Sequence, residues 1–317
     1  SIASPATFLT SLHALNLIRG VIMVKIKVLK ETEEKMQLLL SETDRSLANA
    51  LRRTLISDTP KMAIDSVRFQ LGTKEQDGEV WETTGPIPDE MVAQRLAMVP
   101  IPTMHDKFHF QHECPNCKDL VEADRGCLEC QMIYTCVVFG DEEGKWVTAG
   151  DMKYLGEESL EIPEHYKSIP ITKLLKGQMI EFYATAIMGR GREHTKWSPV
   201  CGVAFQPRRI GVINNKTKAK ILWDMDLETT AKDFDKSGKL EDVDKVSTLA
   251  LELNHVGEGT EETREFNDAI TLEEVPGEYI FEFETDGSMS PRAAFEKASE
   301  ELAKGFSALE SDLSDAL

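Results

Sequence analysis

The chain lacks the features that mark a membrane protein or a broad nucleic-acid-binding surface. None of its apolar runs approaches the roughly 18 residues that a membrane-spanning helix requires; the longest are short, as at 38–40 and 137–139. Basic residues are scarce, with 36 Lys and Arg against 55 Asp and Glu, so the formal net charge is −19. Because phosphate neutralisation needs clustered positive charge, this balance argues against extensive nucleic-acid contact.

Motifs that carry catalysis are missing too. The chain has no GxxxxGK[ST] loop, no GxSxG nucleophile turn, no HExxH helix and no paired-aspartate loop of the DxDGD kind that polymerases use for Mg²⁺. Its glycine-rich basic stretch, GRGR at 189–192, would suit either a phosphate or a β-turn beside a charged partner. We therefore expect a protein that is not an enzyme on its own.

The composition is that of a globular protein with a sizeable core. The 317 residues are 41% hydrophobic and 29% charged, and this length suits two modest domains or one domain with an insertion. Residues 1–22 read unlike the rest, whereas Met23 opens the strand pattern MVKIKVLKE. We expect Met23 to be the natural start and the leader 1–22 to lie outside the fold.

The two ends of the sequence after the leader carry the clearest structural signals. Alternating apolar residues predict a β-hairpin over 23–40, and side-chain oxygens at 41–44 predict the start of a helix at 44–57. Near the C-terminus, Ser290 as N-cap and Pro291 at the first helical position predict a long helix. The apolar stripe of the first helix is Leu47, Leu51 and Leu55. The apolar seam of the last helix is Phe295, Ala298, Leu302, Phe306 and Leu309. Such a seam buries on its own sheet or on a partner helix.

The middle of the chain is rich in predicted strands and contains an acidic segment. Strands are expected at 62–71, 79–83, 132–140, 145–148, 178–187, 200–206 and 278–284, with a helix at 88–97. Residues 224–268 hold 14 Asp and Glu against 5 Lys and Arg. Such a run predicts an exposed, partly ordered excursion, with order returning at 246–253.

Four of the six cysteines form the strongest chemical signal. Cys114, Cys117, Cys127 and Cys130 make two CxxC turns, and each turn lets two thiolates converge on one ion. A structural zinc is the interpretation that this spacing favours; an iron–sulfur cluster and an empty loop are the alternatives. The metal would cross-link a loop with almost no apolar residues of its own.

Three other residues bear on this interpretation. His112 lies close enough in sequence to substitute as a ligand, although a lone histidine beside such a motif is more often incidental. Cys136 and Cys201 fall in strand-like runs and are expected to be small buried side chains.

A weaker metal pattern lies in the acidic segment. Asp233, Asp235 and Ser237 match positions 1, 3 and 5 of an EF-hand loop and, together with Asp244, form a weak Ca²⁺ or Mg²⁺ candidate. Position 12 is Asp244 where the motif has a bidentate Glu, and the flanks lack a convincing pair of amphipathic helices. A solvated acidic loop is the alternative.

Four further stretches resemble one family in order along the chain. They are NALRRTL at 49–55, DEMVAQRLAMVPI at 89–101, GREHTKWSPV at 191–200 and EFETDGSMSP at 282–291. Together they cover most of 23–310 and are similar to the alpha-like subunits of DNA-directed RNA polymerase, the family to which the archaeal D-type and the eukaryotic third-largest subunits belong.

The resemblance implies an α+β fold with two parts. A discontinuous dimerisation domain, 23–64 plus 271–317, would contain the hairpin and two long helices. An inserted β-rich domain, 65–270, would carry the four-cysteine loop 112–130 and the acidic segment 224–268. The eukaryotic counterpart has a zinc loop at this place. Some archaeal relatives instead carry an iron–sulfur insertion after the KWxP strand, where this chain has no cysteine.

The resemblance also implies a role and partners. The chain would be a cytoplasmic, non-catalytic assembly scaffold that heterodimerises with the small alpha-like subunit L. Small subunits N and P and the second-largest subunit would then dock. Arg52 and Arg53 would face the large subunit. The residues implied at the dimer interface are Leu47, Leu51, Leu55, Phe295, Leu302 and Phe306. A free-standing metal-binding regulator is the rival interpretation.

Overall fold

A computed structural model describes residues 24–76, 78–156, 160–225, 227–256 and 269–316. The predicted leader and Met23 lie outside the described residues. The helices are α1 (Arg45–Ser57), α2 (Asp89–Ala97), α3 (Lys216–Trp223), α4 (Val243–Val256) and α5 (Pro291–Ala316). Within the part of the chain that the structure describes, no helix is both long and apolar enough to cross a membrane.

The strands fall into two main antiparallel sheets. They are β1 (Lys25–Glu31), β2 (Lys35–Ser41), β3 (Pro60–Phe69), β4 (Thr73–Gln76), β5 (Glu79–Glu82), β6 (Gln131–Phe139), β7 (Lys145–Thr148), β8 (Lys153–Tyr154), β9 (Pro170–Leu174), β10 (Met179–Arg190), β11 (Val200–Ile213), β12 (Lys239–Leu240) and β13 (Ile270–Thr285). The described strands of the first sheet run in the order β1-β2-β13-β11-β12, and those of the second in the order β3-β10-β6-β8. The pairs β4–β5 and β7–β9 are separate ribbons.

The first sheet buries one face against α1 and α5. Strand β2 alternates, with every second side chain buried, as its apolar pattern predicts. The shared core contains Met36, Leu38, Leu40, Leu51, Leu55, Phe281, Phe283 and Phe295. At about 25 cal/mol per Å² of apolar surface, burying these side chains is the main source of stability for this layer. The predicted hairpin is confirmed, with Ile26 opposite Leu40 in the β1–β2 register.

Local capping explains where α1 and α5 begin. The backbone N–H of Leu47 donates to the Asp44 carboxylate at 2.9 Å, an N-cap that contributes about 1 kcal/mol. The backbone N–H of Ala293 donates to the Ser290 hydroxyl at 3.3 Å, and Pro291 occupies the first helical position. Both predicted helices are confirmed, each start falling within one residue of its prediction.

The second sheet encloses a larger core. Its centre includes Tyr134, Phe182, Ala184, Val92, Leu96 and Ile101, drawn from β6, β10, α2 and the extended segment that follows α2. Prolines at 100 and 102 keep that segment out of helical conformation. The hydroxyl of Tyr134 donates to the Leu160 carbonyl at 2.7 Å, so this buried phenol has a partner.

Part of the acidic segment differs from the predicted exposed excursion. Phe234 and Leu240 are buried in a third small core with residues of α3 and the start of β13. Val246 and Leu249 belong to the same core and fall where order was predicted to return, at 246–253. These apolar side chains, spaced among the charges, pack against β11 near Gly211, while most of the described carboxylates of the segment are exposed. A count of charged residues gave no sign of this pattern, because it does not distinguish the buried face of α4 from the exposed face.

The predicted domain boundaries remain a prediction. Strand β3 begins at Pro60, before the predicted insertion, and pairs with β10 in the second sheet. Strand β11 lies inside the predicted insertion and pairs with β13 in the first sheet. Each of the two main sheets therefore contains residues from both predicted domains.

Candidate metal centre and C-terminal helix

The four cysteines of the loop 112–130 converge on one point. Their Sγ atoms all lie within 4.8 Å of one another, and Cys114, Cys117 and Cys130 are buried. The Sγ–Sγ distances are 3.5 Å for Cys114–Cys127, 3.7 Å for Cys127–Cys130 and 3.8 Å for Cys117–Cys130. Four thiolates about 2.3 Å from a tetrahedral zinc ion would lie roughly 3.8 Å apart. The donor set therefore fits such an ion, and four-thiolate iron has a similar spacing.

Backbone hydrogen bonds shape the loop around these thiols. Each CxxC closes on itself, since Cys117 N–H donates to the Cys114 carbonyl and Cys130 N–H to the Cys127 carbonyl, both at 3.1 Å. The N–H of Glu129 donates to the Cys127 sulfur at 3.4 Å. Strand β6 starts at residue 131, directly after the last cysteine, so the second sheet anchors the loop.

The thiols have unequal acidities in this cluster. Burial raises the pKa of Cys114 and of Cys130 above the ordinary thiol value. For Cys127, burial acts in the same direction, but the N–H of Glu129 and the neighbouring thiols outweigh it and bring the pKa to about 7. A bound cation would favour the thiolate at all four positions.

The three other residues considered with this site, one histidine and two cysteines, differ in burial. His112 is exposed, and its Nε2 lies 3.5 Å from the Glu113 carboxylate, outside the thiol cluster. Cys136 is buried in β6, as predicted. The prediction of burial is wrong for Cys201, which is exposed on β11. Val200, its neighbour on β11, is buried, so the alternation of the strand puts Cys201 on the opposite, exposed face.

The structure does not gather the EF-hand-like residues around a common point. Among the described residues, the four cysteines alone make a metal-compatible cluster. Asp233 pairs with Lys245, and Asp244 pairs with Lys30. The Asp235 carboxylate accepts from the Ser237 N–H and hydroxyl and the Lys239 N–H, which closes a turn. These carboxylates have protein partners, so the geometry favours the acidic loop over the ion site.

The apolar face of helix α5 is buried in the first half of the helix and exposed in the second half. Phe295 and Ala298 are buried against the first sheet and Leu302 is partly buried. Beyond them, Phe306, Leu309 and Leu313 are 42%, 55% and 53% exposed. Their spacing of 3 and 4 residues puts them on one face. The second half of α5 therefore presents an apolar stripe, which we call the α5 stripe (Phe306, Leu309 and Leu313).

The residues implied at the dimer interface divide into two groups. Leu51, Leu55 and Phe295 are already buried by this chain's own residues, and Leu47 is partly buried. Only Phe306 among the six is exposed. Sequence reasoning missed Leu313, although it continues the seam four residues after Leu309.

Arg190, in the glycine-rich basic stretch, is held by protein groups on several elements. Its guanidinium donates to Glu301 of α5 at 2.7 Å and to the carbonyl of Asp58 at the end of α1. It also lies over the ring of Phe110, 4.9 Å from the centroid. Burial opposes ionisation of Glu301, yet hydrogen bonds from Lys304 and Arg190 keep its pKa below the ordinary value. The Arg190 guanidinium therefore makes its described contacts with groups of this same chain.

Gly189 and Gly191 permit the close packing around this turn. A Cβ at Gly191 would lie 2.0 Å from the carbonyl oxygen of Ile56, and one at Gly189 would lie 2.4 Å from the ring of Trp197. The indole N–H of Trp197 donates to the Ile187 carbonyl at 3.1 Å. The two glycines therefore allow close packing of this turn against the Trp197 ring and the Ile56 carbonyl.

A polar cluster around two buried lysines joins the two sheets. The ammonium of Lys61 on β3 pairs with Asp286, which follows β13, and also donates to the Lys196 carbonyl at 2.8 Å. The Lys196 ammonium pairs with Asp65 at 2.7 Å and lies 4.1 Å from the centroid of the Trp197 ring. No local sequence signal indicated this cluster, since its members are up to 225 residues apart.

The two predicted contact arginines differ in their surroundings. Arg53 is exposed on α1. Arg52 donates to the Asn49 side-chain oxygen at 3.1 and 3.0 Å. Arg52 also lines a groove between α1 and the first sheet. The other residues of this groove are Arg45, Ser46, Asn49, Ala204, Phe205, Pro207, Glu274 and Tyr279.

A sheet covered by two helices, with an apolar stripe left exposed on the longer helix, is the architecture of a chain that associates with another chain. The chain belongs to the RNA polymerase Rpb3/Rpb11 dimerisation domain family, whose model matches residues 37–306. The family predicted from the four ordered stretches is therefore confirmed, as is the alpha-like dimerisation domain with mixed α and β content.

Named relatives agree with this assignment. The DNA-directed RNA polymerase subunit Rpo3 of Thermoplasma volcanium is 30% identical over 293 residues, which are 92% of this chain and all of the relative. The Rpo3 of Picrophilus torridus is 30% identical over 298 residues, with the same two coverages. The DNA-directed RNA polymerase II subunit rpb3 of Dictyostelium discoideum is 33% identical over 199 residues, 60% of each chain.

Proposed function

We propose that this chain is a non-catalytic assembly scaffold of a DNA-directed RNA polymerase and that its first partner is a small alpha-like subunit of the L type. The observation that carries the proposal is the α5 stripe, which continues a buried helical seam into solvent. Leu302 would lie at the edge of the contact, while Leu51, Leu55 and Phe295 would support it from inside the chain. Family membership and the Rpo3 relatives support the same role.

Co-expression with an L-type subunit tests this step. The expected result is a stable one-to-one complex on gel filtration, lost in a Phe306→Glu, Leu309→Glu variant because two charges would be buried without partners. Leu251→Glu is the matched control, since Leu251 is 71% exposed and lies on α4 rather than on α5. A chain that elutes as a monomer in the presence of the L-type subunit would contradict the proposal.

We further propose that small subunits N and P and the second-largest subunit join after this heterodimer. Arg53 and the groove that Arg52 lines would meet the large subunit. The groove combines polar residues of α1 with apolar residues of β11 such as Phe205 and Pro207, and an exposed arginine next to it suits the polar rim of a contact. An Arg53→Glu variant should still bind the L-type subunit but should fail to recruit the second-largest subunit. Arg68→Glu, a position on the second sheet, is its control. Equal recruitment by both variants would refute the contact.

The four cysteines are proposed to hold one structural zinc. Cys114, Cys117, Cys127 and Cys130 would be its ligands, and the bound ion would supply a cross-link with no open coordination position. Metal analysis should find about one zinc per chain, with loss after Cys114→Ser or Cys127→Ser. Exposed Cys201 provides the control, Cys201→Ser, which should keep the metal. Iron in place of zinc would overturn the assignment.

The rival role, a free-standing metal-binding regulator, rests on the same four cysteines. The gel-filtration experiment separates the two, because a regulator would bind metal and ignore the L-type subunit. We place the scaffold in the cytoplasm, where an archaeal-type polymerase assembles. Cell fractionation that finds it elsewhere would contradict this.

A further inference from the structure

The four-cysteine loop has little apolar core of its own to hold its shape. Its apolar residues Leu120, Val121 and Leu128 are 45%, 72% and 81% exposed, so they add little to a core. The loop is joined to the chain before it by backbone hydrogen bonds. The N–H of His109 donates to the Glu129 carbonyl at 2.9 Å, and the N–H of Glu113 donates to the Phe110 carbonyl at 3.0 Å. Through these hydrogen bonds, a loop that is held in one conformation also restricts the position of the segment that contains Phe110.

Phe110 contacts the side chain that reaches the C-terminal helix. Its ring is buried at the edge of the second core, and the guanidinium of Arg190 lies over it at 4.9 Å. The same guanidinium bonds to Glu301 at 2.7 Å, in a pair whose side chains are 17% and 8% exposed. Arg190 also donates to the Asp58 carbonyl. One side chain thus contacts the loop segment, the end of α1 and the middle of α5.

We propose that Arg190 is a positioning residue that couples metal binding in the four-cysteine loop to the placement of α5. When the metal orders the loop, Phe110 is held under the guanidinium, and the guanidinium in turn holds Glu301. Glu301 lies on α5 five residues before Phe306, the first residue of the α5 stripe. The inference rests on the proposed function for the identity of the metal and of the partner.

The physical basis is the directional geometry of a guanidinium. Its fixed fork can satisfy Glu301 and the Asp58 carbonyl together while its face rests on a ring. If Phe110 shifts, the guanidinium loses that support and the buried Glu301 carboxylate loses part of its hydrogen bonding. Coupling between two sites is reciprocal, so the partner should also tighten metal binding by the factor by which metal tightens partner binding.

Hydrogen exchange on the full chain tests the coupling without a partner. The chain is compared after chelation and after reloading with Zn²⁺, and backbone exchange is followed over residues 295–303. Zinc should slow exchange in this part of α5 in the unsubstituted chain. It should not do so in Arg190→Met or in Phe110→Leu, which keeps an apolar side chain but removes the ring. Zinc content measured on each sample verifies that the variants still bind the metal.

Two controls match these variants. Arg208→Met removes another partly buried arginine, one that lies on β11 of the first sheet and bonds to Glu278 at 2.6 Å. Phe108→Leu removes another ring from the same core, two residues before Phe110. Both controls should keep the zinc effect on α5. The proposal is overturned if zinc leaves exchange over 295–303 unchanged in the parent chain, or if the effect persists in Arg190→Met and Phe110→Leu.

Affinity for an L-type subunit is the second readout. Zinc should tighten binding by about 5-fold or more in the parent chain, a typical size for coupled sites. In Arg190→Met the ratio of affinities with and without zinc should fall towards one. A chain that binds no L-type subunit under either condition contradicts the proposed function, while the exchange experiment still decides the coupling. Equal ratios in parent and variant contradict the coupling alone.

Discussion

The ion pair between Lys61 and Asp286 joins β3 of the second sheet to the turn that leads into α5. The Lys61 side chain is 4% exposed and that of Asp286 is 25% exposed. Lys61→Met keeps the length of the stem but removes the charge. The Asp286 carboxylate then loses a charge-assisted hydrogen bond worth about 1.5–3 kcal/mol, and the Lys196 carbonyl loses its donor, which adds about 1 kcal/mol.

Asp286 would not be left without partners. Its other oxygen still accepts from the N–H and the hydroxyl of Ser288, at 3.1 and 2.6 Å. We therefore expect a loss of about 3 kcal/mol, at the lower end of the range of about 3–5 kcal/mol for breaking a buried pair. Urea unfolding followed by circular dichroism measures this loss as a shift of the midpoint at constant slope.

Two further variants make this reasoning refutable. Lys25→Met removes a lysine from an exposed pair with Glu42, whose side chains are 67% and 54% exposed, and should change stability by less than about 1 kcal/mol. Asp286→Asn combined with Lys61→Met removes both charges and should cost less than the sum of the two single changes. A loss for Lys61→Met as small as that for Lys25→Met would refute the role assigned to the buried pair.

Three other predictions follow from burial and packing. Burial lowers the pKa of His105 below its ordinary 6.5 and outweighs the hydrogen bond with the Pro60 carbonyl, which raises it. The stability that the neutral imidazole contributes above pH 6.5 should therefore be lost as the pH falls through the lowered pKa of the folded state. His105→Gln should flatten this part of the curve of unfolding free energy against pH. Gly191→Ala should destabilise by about 1–3 kcal/mol in urea unfolding because the Ile56 carbonyl must move; an unchanged midpoint would contradict this. Leu51→Ala should cost about 2–5 kcal/mol, whereas Leu309→Ala should change the unfolding of the free chain by about 0.5 kcal/mol or less.

Local sequence patterns alone determined the two terminal helices, the hairpin and the cysteine cluster. A cap such as Asp44 acts on an N–H three residues away, and a CxxC turn closes within four residues, so neither depends on the rest of the fold. The alternation of β2 likewise reports which face is buried once a strand is assumed. These features were predicted because their causes lie within a few residues.

Only the tertiary structure decided what the distant groups do. Three contacts join residues that are far apart in the chain: the pairing of β11 with β13, the ion pair of Arg190 with Glu301 and the ion pair of Lys61 with Asp286. Their geometry depends on sheet register and on how α5 packs, neither of which has a local signature. The exposure of Cys201 has the same origin, because the packing of the first sheet decides which face of β11 is buried, and Val200 rather than Cys201 lies on that face.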